Sequence, residues 1–318
     1  MGTIKDAAAA LRLWDNILVM SHTSPDGDTL GSACALLRGL AAMGKRISFL
    51  CADKIGKKYA YLFQKLPLEE FEPDKIVTVD VADIQLLGGI ASTYENRVDF
   101  AIDHHATHVK FAKENWIDSK AAATAQMIYE LLLELDVEVD ARMASCLYTG
   151  LSTDTGCFRY SNANAKAYET AAALIRLGAN SAVINQLMFD TKTRACIEVE
   201  REVLSNMEFV HGGEIACAYI PRKLLETTGA DESDLEGVPS IVRGIEGVLI
   251  GITLKEKEDG VWKASVRAVH PVNASEICQG LGGGGHKGAA GCSLGTDFCV
   301  AKTTLLSACE AHLSAQGL

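Results

Sequence analysis

Short apolar runs recur along this chain, and several stop abruptly at a polar residue. Ile17-Leu18-Val19-Met20 ends at Ser21, Lys75-Ile76-Val77-Thr78-Val79 ends at Asp80, and Val98-Asp99-Phe100-Ala101-Ile102 ends at Asp103. Apolar runs of this kind read as strands buried on both faces of a parallel sheet. The pattern predicts strands over 17–22, 46–51, 75–80 and 98–102, alternating with helical periodicity over 29–43 and 122–135. Such alternation argues for an α/β fold, a mostly parallel sheet with helices on both faces. Helical spacing continues through 141–152, 164–177 and 181–189. Arg194 to Phe209 reads as one long helix, ended by His211-Gly212-Gly213 and bridging two domains. Beyond it, 214–220, 248–254 and 261–268 read as strands of a smaller sheet, and the acidic stretch 229–239 as a surface loop. The expected organisation is a parallel-sheet domain over 1–190, a linker helix over 191–212 and a smaller α/β domain over 213–318. There are no internal repeats and no low-complexity linker.

Composition narrows the class. A chain of 318 residues, 48% hydrophobic and 22% charged, is that of a soluble globular protein with core enough for two domains. No apolar run reaches the roughly 18 residues of a membrane span. The N-terminus lacks a signal-peptide core, and Asp6 breaks the myristoylation pattern. The ten cysteines are scattered without a C-x-x-C pair, which reads as reduced thiols in a cytoplasmic protein. A net charge of −11 offers no basic stripe to displace the counterions of a long duplex. Lys54, Lys57 and Lys58 make only a short cluster, and such clusters are more often a solvated face. A nucleic-acid substrate should therefore be short.

The chemistry concentrates where the strands stop. Ser21-His22-Thr23-Ser24-Pro25-Asp26-Gly27-Asp28 puts one imidazole and two carboxylates on a turn that Pro25 and Gly27 allow to bend sharply. Asp80 follows the second run, Asp103-His104-His105 the third, and Ser152-Thr153-Asp154-Thr155-Gly156 the helical pattern around Met143, Leu147 and Leu151. A lone Asp at a strand end is usually a helix cap or a turn former. Four such pieces on one expected rim, beyond the carboxyl ends of the strands, point instead to a shared ligand. Four Asp and two His make a hard donor set that suits Mn²⁺ or Mg²⁺ better than a thiolate-seeking ion.

His22-x-x-x-Asp26-x-Asp28, Asp80, Asp103-His104-His105 and Asp154 resemble the four motifs of the DHH phosphoesterase superfamily. Gly282-Gly283-Gly284-Gly285-His286-Lys287-Gly288-Ala289-Ala290-Gly291 is similar to the signature of the DHHA1 domain that accompanies one branch of it. Within it the chain resembles the nanoRNase and pAp-phosphatase group, related to phosphodiesterases of cyclic-di-AMP and pApA. The resemblance implies two divalent cations, Mn²⁺ ahead of Mg²⁺ or Co²⁺. His22 and Asp26 would hold one, Asp28, His104 and Asp154 the other, and Asp80 would bridge them. His105 would act as a proton donor at the phosphate or leaving oxygen, with Asp103 orienting its neighbours.

The resemblance further implies that the glycine loop, with Gly284, Gly285 and His286, binds the substrate's phosphate and that Arg267 contacts the nucleotide. Arg159 either faces the substrate or closes its own turn by an ion pair. His108 and His211 carry no motif and read as surface or packing residues. The implied partners are short oligoribonucleotides or nucleotides, without long duplexes or membranes, and a homodimer is implied by resemblance alone. The leading expectation is hydrolysis of nanoRNA, pApA or 3′-phosphoadenosine 5′-phosphate. A cyclic-di-AMP phosphodiesterase, a manganese pyrophosphatase and a non-catalytic nucleotide-binding module are the alternatives. The pyrophosphatase would carry a Ser-Arg-Lys signature in its second domain, and this chain has none.

Overall fold

Alternate residues of each central strand bury themselves on opposite faces, and that division organises the first half of the molecule. The protein is seen as a computed structural model that describes residues 2–317 except Glu236, with Ser233 placed by its backbone alone. It divides into two compact units, residues 1–191 and 192–318. The first contains α1 (Ile4–Leu13), β1 (Ile17–Met20), α2 (Gly27–Ala42), β2 (Ile47–Leu50), β3 (Lys75–Val79), α3 (Ala91–Tyr94), β4 (Phe100–Asp103) and β5 (Glu114–Ile117). Four helices complete it: α4 (Thr124–Glu134), α5 (Ala141–Asp154), α6 (Ala165–Arg176) and α7 (Ser181–Asn185).

The five strands form a wholly parallel sheet in the order β2-β1-β3-β4-β5. Ile17, Val19, Val77, Val79, Phe100 and Ile102 pack into the main core with α1, α2, α4 and α5. Leu18, Met20, Ile76 and Val98 enter a smaller cluster on the other face. The pattern predicts helices on both faces, but that second face is covered by the 3₁₀ segment Ile84–Ile90 and the four-residue α3. The connection from β3 to β4 carries Gly88-Gly89 and no apolar run long enough for a stable helix. In this strand order the connections diverge between β1 and β3, and the crevice at such a point is where open α/β sheets place ligands.

Helix α2 is buried from Gly27 to Leu40, and α5 packs along it. Two glycines set how closely. A Cβ on Gly31 would run into the Cys146 carbonyl, and one on Gly150 would lie 2.6 Å from Ala125 Cβ and 2.8 Å from Asp28 Oδ1. A glycine inside a helix costs about 1 kcal/mol relative to alanine. Here the loss admits the close approach that carries Asp28 and Asp154 to the same place.

The second unit contains α8 (Arg194–Ser205), β6 (Glu208–Val210), β7 (Ile215–Ile220), α9 (Arg222–Thr228), α10 (Val238–Arg243), β8 (Ile250–Glu256) and β9 (Trp262–Ala268). It closes with α11 (Ala274–Gln279), β10 (Gly284–His286), β11 (Ala289–Leu294) and α12 (Phe298–Gln316). Its sheet runs β10-β11-β9-β8-β7-β6, antiparallel except for the β7–β8 pair. The sheet expected to be smaller has six strands against five.

Three further expectations are corrected in this unit. The helix expected to reach Phe209 stops at Ser205, and Glu208–Val210 pair with β7 instead. Val199, Val203 and the partly buried Met207 keep a spacing of four across that end, so periodicity could not mark it. The expected loop over 229–239 holds a 3₁₀ turn at Glu232–Leu235 and the start of α10, while Glu236 lies outside the described residues. Leu235, Val238 and Val242 are buried against Val199, Val203 and Ala218 at helical spacing. The glycine loop is in part a β-hairpin, in which Gly284 pairs with Gly291 and His286 with Ala289. Among the described residues no helix is long and apolar enough to cross a membrane.

Gly150→Ala tests the helix contact. Overpacking should destabilise the metal-free protein by about 1–3 kcal/mol, outweighing the gain in helix propensity. Gly89, where an added methyl group would meet no atom within 4 Å, is the control. Urea unfolding should shift for Gly150→Ala and stay within about 0.5 kcal/mol for Gly89→Ala. A Gly150→Ala protein as stable as the parent would show that the two helices have room to spare.

Candidate metal centre

Every first-unit residue in this site hangs from the carboxyl end of a strand or the end of a helix. His22 follows β1, and Asp26 is the N-cap of α2, its Oδ1 accepting from the amides of Asp28 (3.0 Å) and Thr29 (3.1 Å). Asp28, in the first turn of α2, reaches the N-terminus of α4. There its Oδ2 accepts from Thr124 N at 2.7 Å and its Oδ1 from Ala125 N at 2.8 Å. The residue at the N-cap of α4 is Ala123, which has no capping side chain, so Asp28 supplies the acceptor from a distance in sequence. Asp80 follows β3 with a left-handed backbone, φ 59°. That conformation is uncommon outside glycine and best tolerated by Asn and Asp. Thr124 Oγ1 donates to its Oδ1 at 2.9 Å. Asp154 is the last residue of α5, and Asn162 Nδ2 donates to its Oδ2 at 3.1 Å.

These side chains converge in two groups. His22, Asp26 and Asp80 offer ligand atoms within 4.8 Å of one another, and so do Asp28, His104 and Asp154. Asp80 stands between them. Its Oδ2 lies 3.7 Å from His22 Nε2 and its Oδ1 lies 3.7 Å from His104 Nε2. His104 Nε2 is also 3.7 Å from Asp154 Oδ2 and 4.0 Å from Asp28 Oδ2. These gaps are too long for hydrogen bonds. They exceed by about 1 Å the separation of about 2.8–3.0 Å between neighbouring donors that each sit 2.0–2.1 Å from an octahedral divalent ion, so a bound cation would draw the donors inward.

The second ring nitrogens agree with that use. His22 Nδ1–H donates to the Thr23 carbonyl at 2.8 Å and His104 Nδ1–H to the Ala121 carbonyl at 3.3 Å. A carbonyl only accepts, so each ring turns its Nε2 toward the carboxylates, the arrangement expected of a histidine ligand. The Asp and His clusters present can therefore chelate divalent cations, and the donors fit the hard ions.

Without a cation the carboxylates perturb each other. Burial, with the charges of Asp80 and Asp154 behind it, pushes Asp28 upward; burial with Asp80 and Asp26 does the same to Asp154. Burial opposes ionisation of Asp80 too, but His22, His105 and His104 hold it below the usual carboxylate range. Burial likewise opposes charge on His22, yet the nearby carboxylates of Asp80 and Asp26 raise it to about 9.

His105 differs from the two ligand-like histidines. Its Nδ1 lies 2.7 Å from Asp103 Oδ1, and burial is outweighed by Asp103 and Asp80, which raise the ring to about 10. Asp103 is wholly buried. It also accepts from the backbone amides of His104 and His105, and burial is overcome by His105 and His108, which hold it well below its ordinary range.

His108, which carries no motif, is no surface residue. Its side chain is 1% exposed, with Nδ1 2.8 Å from Asp103 Oδ2. Three partners of the site thus have no counterpart among the sequence candidates: Thr124, Asn162 and His108. Only His108, three residues beyond His105, left a signal in the sequence.

Arg159 is exposed, and its Nε–H donates to the Gly156 carbonyl at 2.6 Å, closing the turn after α5. In the second unit Arg267, Ala289 and His286 lie in register across β9, β11 and β10. Directly opposed residues share a sheet face, so Arg267 and His286 lie on the same face with only an alanine between them. Gly285, at φ 142°, leaves space where a Cβ would meet the Ala289 carbonyl at 2.6 Å, and Gly284 precedes it in β10.

Residues 16–151 match the DHH family, N-terminal domain, and residues 212–305 match the DHHA1 domain. A protein of Thermus thermophilus named bifunctional oligoribonuclease and PAP phosphatase NrnA is 33% identical over 317 residues, 95% of this chain and 91% of its own. A Bacillus subtilis protein of the same name is 24% identical over 290 residues, covering 89% of this chain and 91% of its own. The crystal structure of an exopolyphosphatase-related protein from Bacteroides fragilis superposes with a TM-score of 0.86 at 22% identity, covering 99% of this chain and 97% of that one. It shares the fold.

Cation binding should release protons. His22 can use Nε2 as a ligand only after losing the proton that Asp80 and Asp26 stabilise. Its raised pKa means that the ion pair's contribution to metal-free stability is complete below the ordinary histidine value and lost as pH rises through about 9. Cation affinity should climb over the same interval. Titration calorimetry of Mn²⁺ into chelator-treated protein at pH 7.5, in buffers of different ionisation enthalpy, should report release of about one proton or more. Identical heats in every buffer would remove His22 from the ligand set.

Proposed function

This chain belongs to the DHH–DHHA1 phosphoesterase superfamily, and on that premise we propose that it is a metal-dependent hydrolase of short nucleotides. Its substrates are 5′-phosphorylated oligoribonucleotides of the pApA class and 3′-phosphoadenosine 5′-phosphate. The observation that carries the reading is Asp80, with one oxygen toward His22 and the other toward His104. The names of the relatives in Thermus thermophilus and Bacillus subtilis support the substrate class. The net charge of −11 favours short substrates over long ones.

His22 and Asp26 would hold one divalent cation, Asp28, His104 and Asp154 a second, with Asp80 shared and Mn²⁺ preferred to Mg²⁺ or Co²⁺. Such a pair, when bound, supplies Lewis-acid polarisation of phosphoryl oxygens and activation of a water. The chain's own part is to orient donors and hold a proton. Asp103 fixes His105 by its Nδ1 and favours the charged form of the ring. Nε2 of His105 then carries the proton that the leaving oxygen needs. Water adds to phosphorus, the bond to the leaving oxygen breaks, and pApA gives two molecules of AMP. Arg267 and His286 bind substrate phosphate or base, as donors on a shared face.

Turnover of pApA, 3′-phosphoadenosine 5′-phosphate, cyclic-di-AMP and pyrophosphate, each at one Mn²⁺ concentration, tests the reading. The first two should be hydrolysed, chelation should abolish both, and rates on RNA should fall as length grows from two to about five nucleotides. Hydrolysis of pyrophosphate alone, or of a long strand as fast as a dimer, would overturn the substrate assignment. Asp80→Asn should keep the fold and lose roughly a thousandfold in kcat, the scale of a dominant electrostatic contribution. Near-normal turnover by that variant would remove Asp80 from its shared position.

Arg267→Ala and His286→Ala probe the second unit. Each should keep its metal content and weaken nucleotide binding by about 1.5–3 kcal/mol, the worth of a hydrogen bond to a charged group. For Arg267→Ala, the effect on para-nitrophenyl phosphate should be smaller. Loss of metal in either variant would place that side chain on the cation instead.

A further inference from the structure

We propose that His108 is a positioning residue for the phosphoesterase reaction, acting through Asp103 on the proton donor His105. The inference rests on the function proposed above. Asp103 uses its two oxygens differently. Oδ1 accepts from the His105 ring at 2.7 Å and from the amides of His104 at 2.8 Å and His105 at 3.3 Å. Oδ2 accepts from His108 Nδ1–H at 2.8 Å. A carboxylate held on one oxygen alone can still rotate about its Cβ–Cγ bond. Held on both, its plane is fixed, and so is the direction from which it meets His105.

His108 is itself held from behind. Asn115 on β5 turns its Oδ1 to His108 Nε2 at 3.2 Å. The orientation of that amide is decided by its other bonds, since Asn115 Nδ2 donates to the Ala112 carbonyl at 2.8 Å and Ala112 N donates to Oδ1 at 3.3 Å. The ring also packs on Phe111, with centroids 5.3 Å apart. The His108 amide donates to the His105 carbonyl at 3.2 Å, so the segment that carries the donor also carries its support. The result is a continuous line from β5 to the reaction: Asn115, His108, Asp103, His105. Hydrogen-bond partners of metal-ligating histidines are worth about 10- to 100-fold in activity or metal affinity when lost. His108 holds the residue, Asp103, that stands in that place behind His105.

Two variants separate this role from general packing. An asparagine amide falls near the Nδ1 edge of histidine and can still donate to Asp103, whereas a glutamine amide falls near the Nε2 edge and leaves Asp103 unmet. His108→Gln should lower kcat on pApA by about 10- to 100-fold, with KM and Mn²⁺ content changed less than about twofold. His108→Asn should stay within about threefold of the parent in kcat. Equal losses in the two variants, or a fall in metal content that accounts for the loss, would overturn the proposal. Metal-free protein labelled with ¹⁵N-histidine gives a readout independent of turnover. The His105 Nδ1–H signal should broaden by solvent exchange in His108→Gln and persist in His108→Asn, and the same signal in both variants would also overturn it. If the parent fails to cleave any nucleotide, the functional reading falls by itself, and the imidazole signal still decides what His108 does.

Discussion

Four carboxylates crowded beyond the ends of β1, β3 and α5 repel one another, and much of the first unit is arranged to hold them there. Each has a counterweight. Asp26 and Asp28 sit where helix N-termini expose backbone amides, Asp26 on α2 and Asp28 on α4. There the unpaired N–H groups and the helix dipole favour negative charge. Asp80 takes the hydroxyl of Thr124, and Asp154 the amide of Asn162. None of these donors neutralises a full charge. The raised carboxyls of Asp28 and Asp154 measure the repulsion and burial that remain, and a cation is the partner that would relieve them.

Bringing the carboxylates so close requires concessions in the backbone. Gly31 and Gly150 give up side chains so that α2 and α5 can approach. Asp80 adopts a left-handed conformation, and Gly156, Cys157 and Phe158 all do so in the turn that follows Asp154. Such conformations persist when their surroundings over-determine them, and they gather at functional sites. The main core supplies that surrounding, with α2 buried along most of its length. Stability in the core and strain at the rim are parts of one construction.

The strand ends are legible in the sequence because burial on both faces leaves unbroken apolar runs, and the residues that stop those runs are the ones that converge. Asp103-His104-His105 stands out for the same reason. What lies beyond reading is decided by partners distant along the chain. Thr124 looks like any helix-start threonine until Asp28 and Asp80 are brought to it, and Asn162 like a turn residue until Asp154 is beside it. The hairpin of β10 and β11 is hidden because glycines carry no strand pattern, and the end of α8 because Met207 continues a periodicity after the helix has stopped. The thin cover over the second face of the first sheet follows from Gly88-Gly89, a pair that discourages a long helix between β3 and β4.

The site contains histidines of two kinds, and the acceptor behind each ring distinguishes them. His22 and His104 donate Nδ1–H to neutral backbone carbonyls, Thr23 and Ala121. A neutral acceptor fixes the Nδ1–H tautomer and leaves Nε2 as the atom that would meet a cation. His105 donates to a carboxylate, Asp103, and a carboxylate stabilises the charged ring. On the proposed reading, the same side chain is set as a ligand in one place and as a proton donor in the other. Because Asp103 determines the second role, whatever holds Asp103 shares in it, and the lines from His108 and the two backbone amides converge on that carboxylate. The division of labour among chemically identical rings is made one bond further out than the rings themselves.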